Sequence, residues 1–536
     1  MPTEPSPSPG RSSRKWLLAA VLFALLIEVV LLVRSPAVAR DGITFIVLAR
    51  DFAKDPVATM RYADQHPGFL AMILAGRWSV SPLVPRDSVF SWVWGARLAS
   101  GLFGPLIVVV AWLLAKRAFD DRTAALTAIF VAVLPGFRQS AVDALSDTPH
   151  LFLYALAVWL AAEGMVRRRW TWFPAVGAVS ALAYWVRPEG LSVVIVLTAV
   201  LPLWAWRSRT MSVRKALLCV GVMVLVAAVV SSPYLVLSGK FSGKITSKLV
   251  LAPVSTAEPE SSPEAPAASG LPAARPPVAA APTAPPVVED SRDNPWERAW
   301  TAVVQILEKS AHNLRWVLGF PFVVGVFALR RRRADQVPRT LIFTLIVFHF
   351  LLLIGLYCTG GYIGHRHLMP AVLLAMPWVG VGTILIGEKL QSLSGERPGM
   401  DVARRRRVML VLLTAGLVAG LLPRAIRPPH ARELPAVRTA VWLGQRIRPD
   451  DTVLSNSPYV PFYADMSGRV ITREETEVGI DLSTVTPPYR YVVLDRRVRA
   501  FRPEWPAQLT GRYEPLDVPD VKKRHVETFM LRPTGE

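Results

Sequence analysis

The sequence predicts a polytopic α-helical membrane protein of about eleven transmembrane helices, with interfacial helices in the first outer loop and a small C-terminal α/β extracytoplasmic domain. The 536-residue chain is 52% hydrophobic, and its mean hydropathy is positive. Apolar runs long enough to cross a bilayer as helices recur along it. Basic residues gather in alternate short loops between those runs, which is typical of cytoplasmic loops.

Each of the predicted membrane helices is an apolar run bounded by charged or turn-forming residues. The predicted spans are 16–33, 93–115, 123–137, 149–166, 172–187, 190–206, 216–235, 314–329, 340–357, 369–387 and 408–422. The runs 123–137 and 408–422 are short for a hydrocarbon core of about 30 Å.

The basic loops predict the orientation of the chain. Arg11, Arg14 and Lys15 place the N-terminus in the cytoplasm, and alternation then places the basic loops 330–339 and 389–407 on the same side. The opposite loops are longer and richer in acidic, histidine, proline and aromatic residues. We therefore expect a multi-pass protein of the cell inner (plasma) membrane whose C-terminal domain is extracytoplasmic.

Composition divides the chain into regions. Residues 1–15 form a cytoplasmic N-terminal tail, and the apolar run after them is longer than the core of a signal peptide, which favours an uncleaved anchor. Residues 16–429 form the transmembrane domain, interrupted by a Pro/Ala-rich outer insert, 253–289, whose composition predicts disorder.

The remaining residues, 430–536, predict the extracytoplasmic α/β domain. Val437–Arg446 has helical spacing. Four short segments rich in β-formers predict strands at Thr452–Ser455, Val470–Thr472, Tyr491–Asp495 and Glu527–Leu531.

Charge and cysteine content limit the classes of function. The formal net charge is +21, but the basic residues lie in short loops beside apolar runs, which favours a role in topology and contact with anionic membrane lipid over nucleic acid. Cys219 and Cys358, the two cysteines, lie in or beside apolar runs. A disulfide framework is therefore excluded for most of the chain, and two such cysteines argue against a thiolate metal cage.

Ionisable residues recur at the outer ends of the predicted helices. These residues are Asp41 after the first helix, His66 before a proline, Asp143 and Asp147 where the fourth helix begins, Arg187 and Glu189 around a proline, and His365 and Arg366 where a late helix begins. Because all fall at one predicted membrane level, we expect them to share a pocket.

That set of residues suits sugar transfer from a lipid-phosphate donor. Such a donor already carries a good leaving group, so the site needs cations to hold the phosphate charge, and arginine makes bidentate contacts with phosphate. It also needs one carboxylate to accept the proton of the acceptor hydroxyl.

Four motifs carry a resemblance to a known family. In chain order they are Asp41-Gly-Ile-Thr-Phe-Ile-Val-Leu-Ala-Arg50, His66-Pro67, Ser146-Asp147-Thr-Pro, and Arg366-His-Leu-Met-Pro370, which is similar to the family's Arg-Tyr-Leu-Leu-Pro pattern. With the Arg187-Pro-Glu-Gly stretch, they span most of the chain. The chain resembles the membrane glycosyltransferases of the GT-C fold, in particular bacterial relatives of the dolichyl-phosphate-mannose–protein mannosyltransferases and of the lipid A aminoarabinose transferases.

The resemblance implies a hexosyl or pentosyl transferase with an outward-facing active site fed by a polyprenyl-phosphate sugar donor. Asp41 is then the general base, and Asp147 supports the site or positions the acceptor. Arg366, with His365 or Arg187, holds the lipid phosphate. The acceptor is left open among protein, lipid and polysaccharide, and so are the sugar and the stereochemistry.

Two residues depart from the family's pattern. Many relatives have Asp-Glu where this chain has Asp41-Gly42, which removes a second acid and argues against metal binding at this point. His367 replaces the usual aromatic residue. The resemblance thus implies no certain cofactor and leaves a divalent metal open.

Each candidate residue also has a purely structural explanation. Asp41 then ends a helix in solvent, Ser146 and Asp147 cap a helix, and Asp143 and His66 belong to turns. Arg187 and Glu189 then form an interfacial ion pair, and His365 and Arg366 reach lipid headgroups. Within apolar runs, we expect Glu28 to reach water and His349 to be neutral and hydrogen-bonded, and neither to be catalytic.

Two other functions compete with glycosyl transfer. A transporter or lipid flippase needs coupling charges near the bilayer midplane, whereas this chain places its charges at the outer rim. A non-catalytic membrane protein with an outer sensor domain would give no role to the ionisable residues at the outer ends of the helices.

Overall fold

The computed structural model describes residues 11–209, 211–241, 294–328, 336–394, 401–448, 450–471, 480–482, 489–498 and 501–532. These residues form two compact units, which divide at residues 431 and 432. The predicted insert 253–289 lies outside the described residues.

The first unit is helical. Its helices are α1 Arg11–Arg34, α2 Arg40–Lys54, α3 Pro56–Tyr62, α4 Pro67–Val80, α5 Val89–Gly101, α6 Phe103–Ala118, α7 Asp121–Val133, α8 Pro135–Val142, α9 Asp147–Arg167, α10 Trp172–Val186, α11 Ser192–Ser208, α12 Val213–Ser238, α13 Pro295–Asn313, α14 Gly319–Ala328, α15 Gln336–Gly360, α16 Met369–Leu393 and α17 Val402–Ala425. Short 3-10 turns, Pro188–Leu191 and His365–Leu368, precede α11 and α16.

Many of these helices are membrane spans by length and apolarity. In the described ranges, eight stretches qualify: Ser13–Arg34, Val89–Ala118, Asp147–Arg167, Pro188–Ser208, Val213–Ser238, Val337–Gly360, His365–Leu393 and Val402–Ala425. Helices α7 and α8 qualify as a pair bent by 53° before Pro135, which lacks the N–H that would continue α7. The polytopic, multi-pass architecture is confirmed.

The number of crossings stays a prediction. Every predicted span overlaps a helix, but α10 has 15 residues and the described part of α14 has 10, which is less than a straight crossing needs. The run 123–137 is short because it includes α7 and only the start of α8.

The loop between the first two predicted spans contains the expected additional helices. Helix α2 is amphipathic and buries Ile43, Ile46 and Ala49. Asp55 caps α3 by accepting a hydrogen bond from the backbone N–H of Ala58 at 2.9 Å. Proline begins both α3 and α4, a position that needs no backbone donor.

The core of the first unit is centred on α16. The most apolar stretch of the α16 span has 83% of its residues buried, whereas the corresponding stretches of the α1 and α17 spans have 28% and 11%. Helix α16 is therefore central, and α1 and α17 are peripheral. Buried residues that fill this core include Leu31, Val108, Phe130, Tyr154 and Met376.

Glu28 does not reach water, and that expectation was wrong. Its side chain is buried and forms an ion pair with Arg138, whose guanidinium is fully buried and also donates to the carbonyl oxygen of Gly104 at 3.0 Å. A buried charge is tolerated only with such partners. The pair therefore fastens α8 to α1 and α6.

We expect Glu28→Gln, which leaves the guanidinium of Arg138 without its counter-ion, to lower the free energy of unfolding by about 3–5 kcal/mol. Unfolding of the purified protein in detergent measures this loss. The double variant Glu28→Met/Arg138→Met removes both charges and should regain much of it. As a control, Arg406→Met breaks the partly exposed pair with Glu388 and should cost about 1 kcal/mol or less. Equal losses in the two single variants would contradict this assignment.

The second unit is a small α/β structure. Its helices are α18 Leu434–Gly444, α19 Tyr459–Ala464 and α20 Trp505–Gln508, and its strands are β1 Thr452–Ser455, β2 Ser467–Val470, β3 Tyr491–Asp495, β4 Tyr513–Leu516 and β5 Val526–Leu531. The strand order is β2-β1-β3-β5-β4; β1 is parallel to β2 and β3, and β5 is antiparallel to β3 and β4. The predicted α/β domain is therefore confirmed as a fold class.

The details of the sheet differ from the prediction in two places. The second strand lies earlier than the predicted Val470–Thr472, and Thr472 itself is outside the described residues. Strand β4 was missed because Tyr513–Leu516 contains a glutamate and a proline and lies at the sheet edge, where proline is tolerated. Trp505, fully buried, lies in the core of this unit.

Candidate active site

Asp41 lies in the first turn of α2, and that turn is held in place by its neighbours. The guanidinium of Arg97 donates to the carbonyl oxygens of Ser35 and Ala37, at 2.9 and 3.1 Å, in the connection before α2. A Cβ atom on Gly42 would lie 3.0 Å from the carbonyl oxygen of Asp143. Glycine at position 42 thus lets α2 begin directly against the chain before α9.

Arg187 lies between two carboxylates. Because a residue before proline is pushed out of the helical region, α10 ends at Val186 and Arg187 is extended, with φ −154° and ψ 145°. Its Nη1 lies 2.5 Å from Oδ1 of Asp147, and its Nη2 and Nε lie 3.3 and 3.4 Å from the carboxylate of Glu189. Burial acts to lower the pKa of Arg187, but these carboxylates raise it above its ordinary value.

The turn after Arg187 requires a glycine. A Cβ atom on Gly190 would lie 2.2 Å from the backbone nitrogen of Tyr184. The turn Pro188–Leu191 can therefore fold back onto the end of α10 only because residue 190 has no side chain. This return brings Glu189 beside Arg187.

Arg366 connects the two aspartates. It lies in the turn His365–Leu368, which leads into α16. Its Nη2 forms an ion pair with Oδ2 of Asp41, and its Nη1 lies 3.7 Å from Oδ2 of Asp147. Asp41, Asp147, Arg187, Glu189 and Arg366 are therefore brought together; we call these five residues the carboxylate–arginine cluster.

A small pocket opens at this cluster. It is lined by Asp147, His150, Leu151, Arg187, Glu189, His349, Arg366, His367 and Pro370. Its three histidines were not predicted as site residues. His150 follows Asp147 by three positions on α9, so a helical spacing count could have found it.

His349 and His367 are linked by a hydrogen bond. Nε2 of His349, which lies on α15, donates to the carbonyl oxygen of His367 at 2.7 Å. Nδ1 of His367 accepts from the backbone N–H of Gly364 at 3.1 Å. The expected hydrogen bond of His349 is present, and its partner is the turn that carries Arg366.

Three predicted site residues have other partners. The ring of His66 is buried against Tyr184 and Tyr234, with centroids 5.0 Å apart in both pairs. Asp143 lies 2.9 Å from Nε2 of His430; burial raises the pKa of Asp143, and His430 partly offsets this. The ring of His365 lies 4.6 Å from that of His312.

The capping explanation for Ser146 and Asp147 is not supported by the geometry. Ser146 precedes α9 with a helical backbone conformation, and its side chain makes no capping hydrogen bond. The carboxylate of Asp147 instead contacts Arg187 and Arg366. A negative charge in the first turn of α9 is also favoured by the helix dipole.

The cluster contains three carboxylates and two guanidiniums. In the part of the chain that the structure describes, no group of three or more His, Cys, Asp and Glu side chains is arranged to hold a metal ion. Each carboxylate of the cluster already contacts an arginine. Its donor set therefore fits an anionic ligand that competes for Arg366 better than a divalent metal.

Gly42→Ala tests the close contact at the start of α2. The added methyl would press on the carbonyl oxygens of Asp143 and Ala144, so we expect the free energy of unfolding to fall by about 1–3 kcal/mol. Gly221→Ala is the matched control, because a Cβ atom there meets no atom within 4 Å and α12 should be slightly stabilised. Thermal unfolding in detergent compares the two, and equal behaviour would contradict the contact.

Comparison with known proteins extends these observations. Residues 90–236, from α5 to α12, match the profile of a family described as dolichyl-phosphate-mannose-protein mannosyltransferase. This segment includes Asp147, Arg187 and Glu189 but neither Asp41 nor Arg366. Among curated proteins, none matches the chain.

Solved structures are similar over nearly the whole chain. ArnT from Cupriavidus metallidurans bound to undecaprenyl phosphate is 14% identical, with a TM-score of 0.60 over 96% of this chain and 98% of that one. The archaeal oligosaccharyltransferase AglB from Archaeoglobus fulgidus, in complex with an inhibitory peptide and a dolichol-phosphate, is 12% identical, with a TM-score of 0.55 over 91% of this chain and 70% of that one. The architecture and these likenesses show that the chain has the GT-C fold of membrane glycosyltransferases.

Proposed function

We propose that the protein is a membrane glycosyltransferase that moves a hexosyl or pentosyl group from a polyprenyl-phosphate donor to an acceptor hydroxyl. The observation that carries this proposal is that Arg366 contacts both Asp41 and Asp147. A carboxylate and a cation that can bind a leaving phosphate are thus adjacent, which is what this reaction needs.

Asp41 is the general base of the proposed reaction. Its side chain is about half exposed, at 51%, whereas that of Asp147 is buried at 5% exposure, so Asp41 is the one open to an incoming acceptor. Asp41 accepts the proton of the acceptor hydroxyl as that oxygen bonds to the anomeric carbon. The bond from the anomeric carbon to the phosphate oxygen breaks, and the lipid phosphate leaves with the electron pair.

Arg366 is the main phosphate ligand. Its side chain is 41% exposed, whereas that of Arg187 is 19% exposed and lies between Asp147 and Glu189. Arg366 can therefore turn to a phosphate more easily, while Arg187 holds the buried carboxylates and adds positive charge behind the site. We propose that His365, beside Arg366, also contacts the phosphate of the sugar donor.

The similar structures support a lipid-phosphate donor. ArnT was solved with undecaprenyl phosphate, and AglB with a dolichol-phosphate and a peptide. By analogy we propose a polyprenyl-phosphate sugar donor and an acceptor that is a protein, a lipid or a polysaccharide. Transfer assays with one acceptor of each class would identify the acceptor.

We place the reaction at the extracytoplasmic face of the inner membrane. The basic loops of the sequence favour a cytoplasmic N-terminus, and the cluster then lies on the opposite side. Neither a transporter nor a scaffold requires a half-exposed carboxylate beside an arginine in a pocket, so the geometry favours the transferase over both alternatives.

We expect Asp41→Asn to abolish transfer while donor binding persists, because the amide cannot act as the base. Removing the carboxylate also frees Arg366 from a partly exposed ion pair, so polyprenyl phosphate should bind about two- to fivefold more tightly. Titration with polyprenyl phosphate and a single-turnover transfer assay measure the two effects. Asp51→Asn, on the same helix, is the control. Retained turnover would remove Asp41 as the base.

Arg366→Ala is expected to weaken donor binding at least tenfold, because a charged hydrogen bond to the phosphate is lost. The KM of the acceptor should change by less than about twofold under the same conditions, and Arg406→Ala serves as the control. Steady-state kinetics with each substrate varied in turn separates the effects. Equal changes for donor and acceptor would assign Arg366 a structural role.

A further inference from the structure

Helix α13 has a buried face and an exposed apolar stripe. Ala302 and Ile306 are buried against Leu353 of α15 and against Ile363 and Leu368 in the segment between α15 and α16. The exposed stripe consists of Trp296, Trp300, Val304 and Leu307, which recur at helical spacing. Trp300 and Leu307 are 69% and 61% exposed.

Such a stripe on a membrane-spanning unit fits the bilayer interface. Tryptophan is enriched at the headgroup level, and an amphipathic helix there buries its apolar face in the upper acyl region. Helix α13 packs through its other face on α15, a membrane span, so the stripe belongs to a unit already in the bilayer. Lipid is therefore the occupant that the surroundings favour.

The last turn of α13 holds the chain that carries Arg366. Nζ of Lys309 donates to the carbonyl oxygen of Ile363, and Nδ2 of Asn313 donates to the carbonyl oxygen of His365 at 2.9 Å. The second bond fixes the peptide group directly before Arg366. The rings of His312 and His365, tilted by 37° with centroids 4.6 Å apart, add a third contact between the same two segments.

The chain leaves α13 through an uncommon conformation. Arg315 and Trp316 both have positive φ, at 58° and 59°, which costs a non-glycine residue about 1–2 kcal/mol. The backbone N–H of Trp316 donates to the carbonyl oxygen of Ala311 at 2.9 Å, and Leu314 and Leu318 are buried in the core. Surrounding contacts thus fix the end of α13.

We propose that α13 lies in the lipid headgroup layer on its exposed stripe and that Asn313 is a positioning residue for Arg366. This inference rests on the proposed function, because it assigns α13 the role of orienting the phosphate ligand. Asn313 acts only through the backbone of residue 365. Its loss should therefore change donor affinity more than turnover.

The lipid contact is tested with single-cysteine variants. In a Cys219→Ala/Cys358→Ala background, Trp300→Cys and Thr301→Cys each receive a spin label in nanodiscs of phosphatidylethanolamine and phosphatidylglycerol. Thr301 lies outside the stripe, one residue away. We expect the label at 300 to collide mainly with oxygen, which concentrates in lipid, and the label at 301 with a water-soluble nickel chelate. Equal access of the chelate to both labels would overturn the lipid contact.

The positioning role is tested by Asn313→Leu, which keeps the size of the side chain and removes its donor. We expect the KM of a polyprenyl-phosphate sugar to rise about three- to tenfold, while kcat and the acceptor KM change less than twofold. Asn313→Gln keeps an amide donor and should restore most of the affinity. Thr301→Ala, whose hydroxyl bonds within α13, is the control.

The outcomes separate this inference from the proposed function. If the wild-type protein does not bind polyprenyl phosphate, the positioning role and the proposed function both fail, while the spin labels still decide the lipid contact. If it binds, and Asn313→Leu binds equally well, only the positioning role is overturned. A fall of kcat together with equal rises of both KM values, or a lowered Tm in detergent, would show that Asn313 is merely structural.

Discussion

The rest of the site depends on the contacts of the Asp147 carboxylate with two arginines. This carboxylate is almost fully buried, and its two oxygens face different arginines, Arg187 at 2.5 Å and Arg366 at 3.7 Å. A buried carboxylate needs such partners, since an unpaired charge there would be strongly destabilising. Asp147 therefore ties the ends of α9 and α10 to the turn before α16. With Arg366 held in this way, its remaining amino group can reach Asp41.

Much of the fold was predictable because the bilayer imposes a simple rule on sequence. Apolar runs of sufficient length must be helices there, and every predicted run overlaps one. Helix α13 was not predicted, because its apolar residues form a stripe among charged ones and no long run results. The orientation of α8 was not predicted either, since the sequence alone does not show that Arg138 points inward toward Glu28.

The sequence predicted that ionisable residues at one membrane level share a pocket, and the structure brings five of them together but gives the others different partners. Asp41, Asp147, Arg187, Glu189 and Arg366 all precede or follow a helix end on one predicted side, and the structure joins them. His66, Asp143 and His365 share that sequence signal yet contact other side chains. Position along a helix gives depth in the membrane, whereas lateral neighbours depend on how the helices pack. It is this packing of the helices that brings His150, His349 and His367 to the pocket.

The hydrogen bond between Asp143 and His430 forms entirely within the first unit. Gln139 of α8 adds to this bond, because its amide donates to the carbonyl oxygens of Arg424 and Arg427 at 3.3 Å. Together these contacts connect α8 and the loop after it to the end of α17 and the segment that follows. All of these contacts lie on the N-terminal side of residue 432. A shortened chain that stops just after His430, or a chimera that receives a foreign globular segment there, would keep every one of these ties to the loop that leads to Asp147.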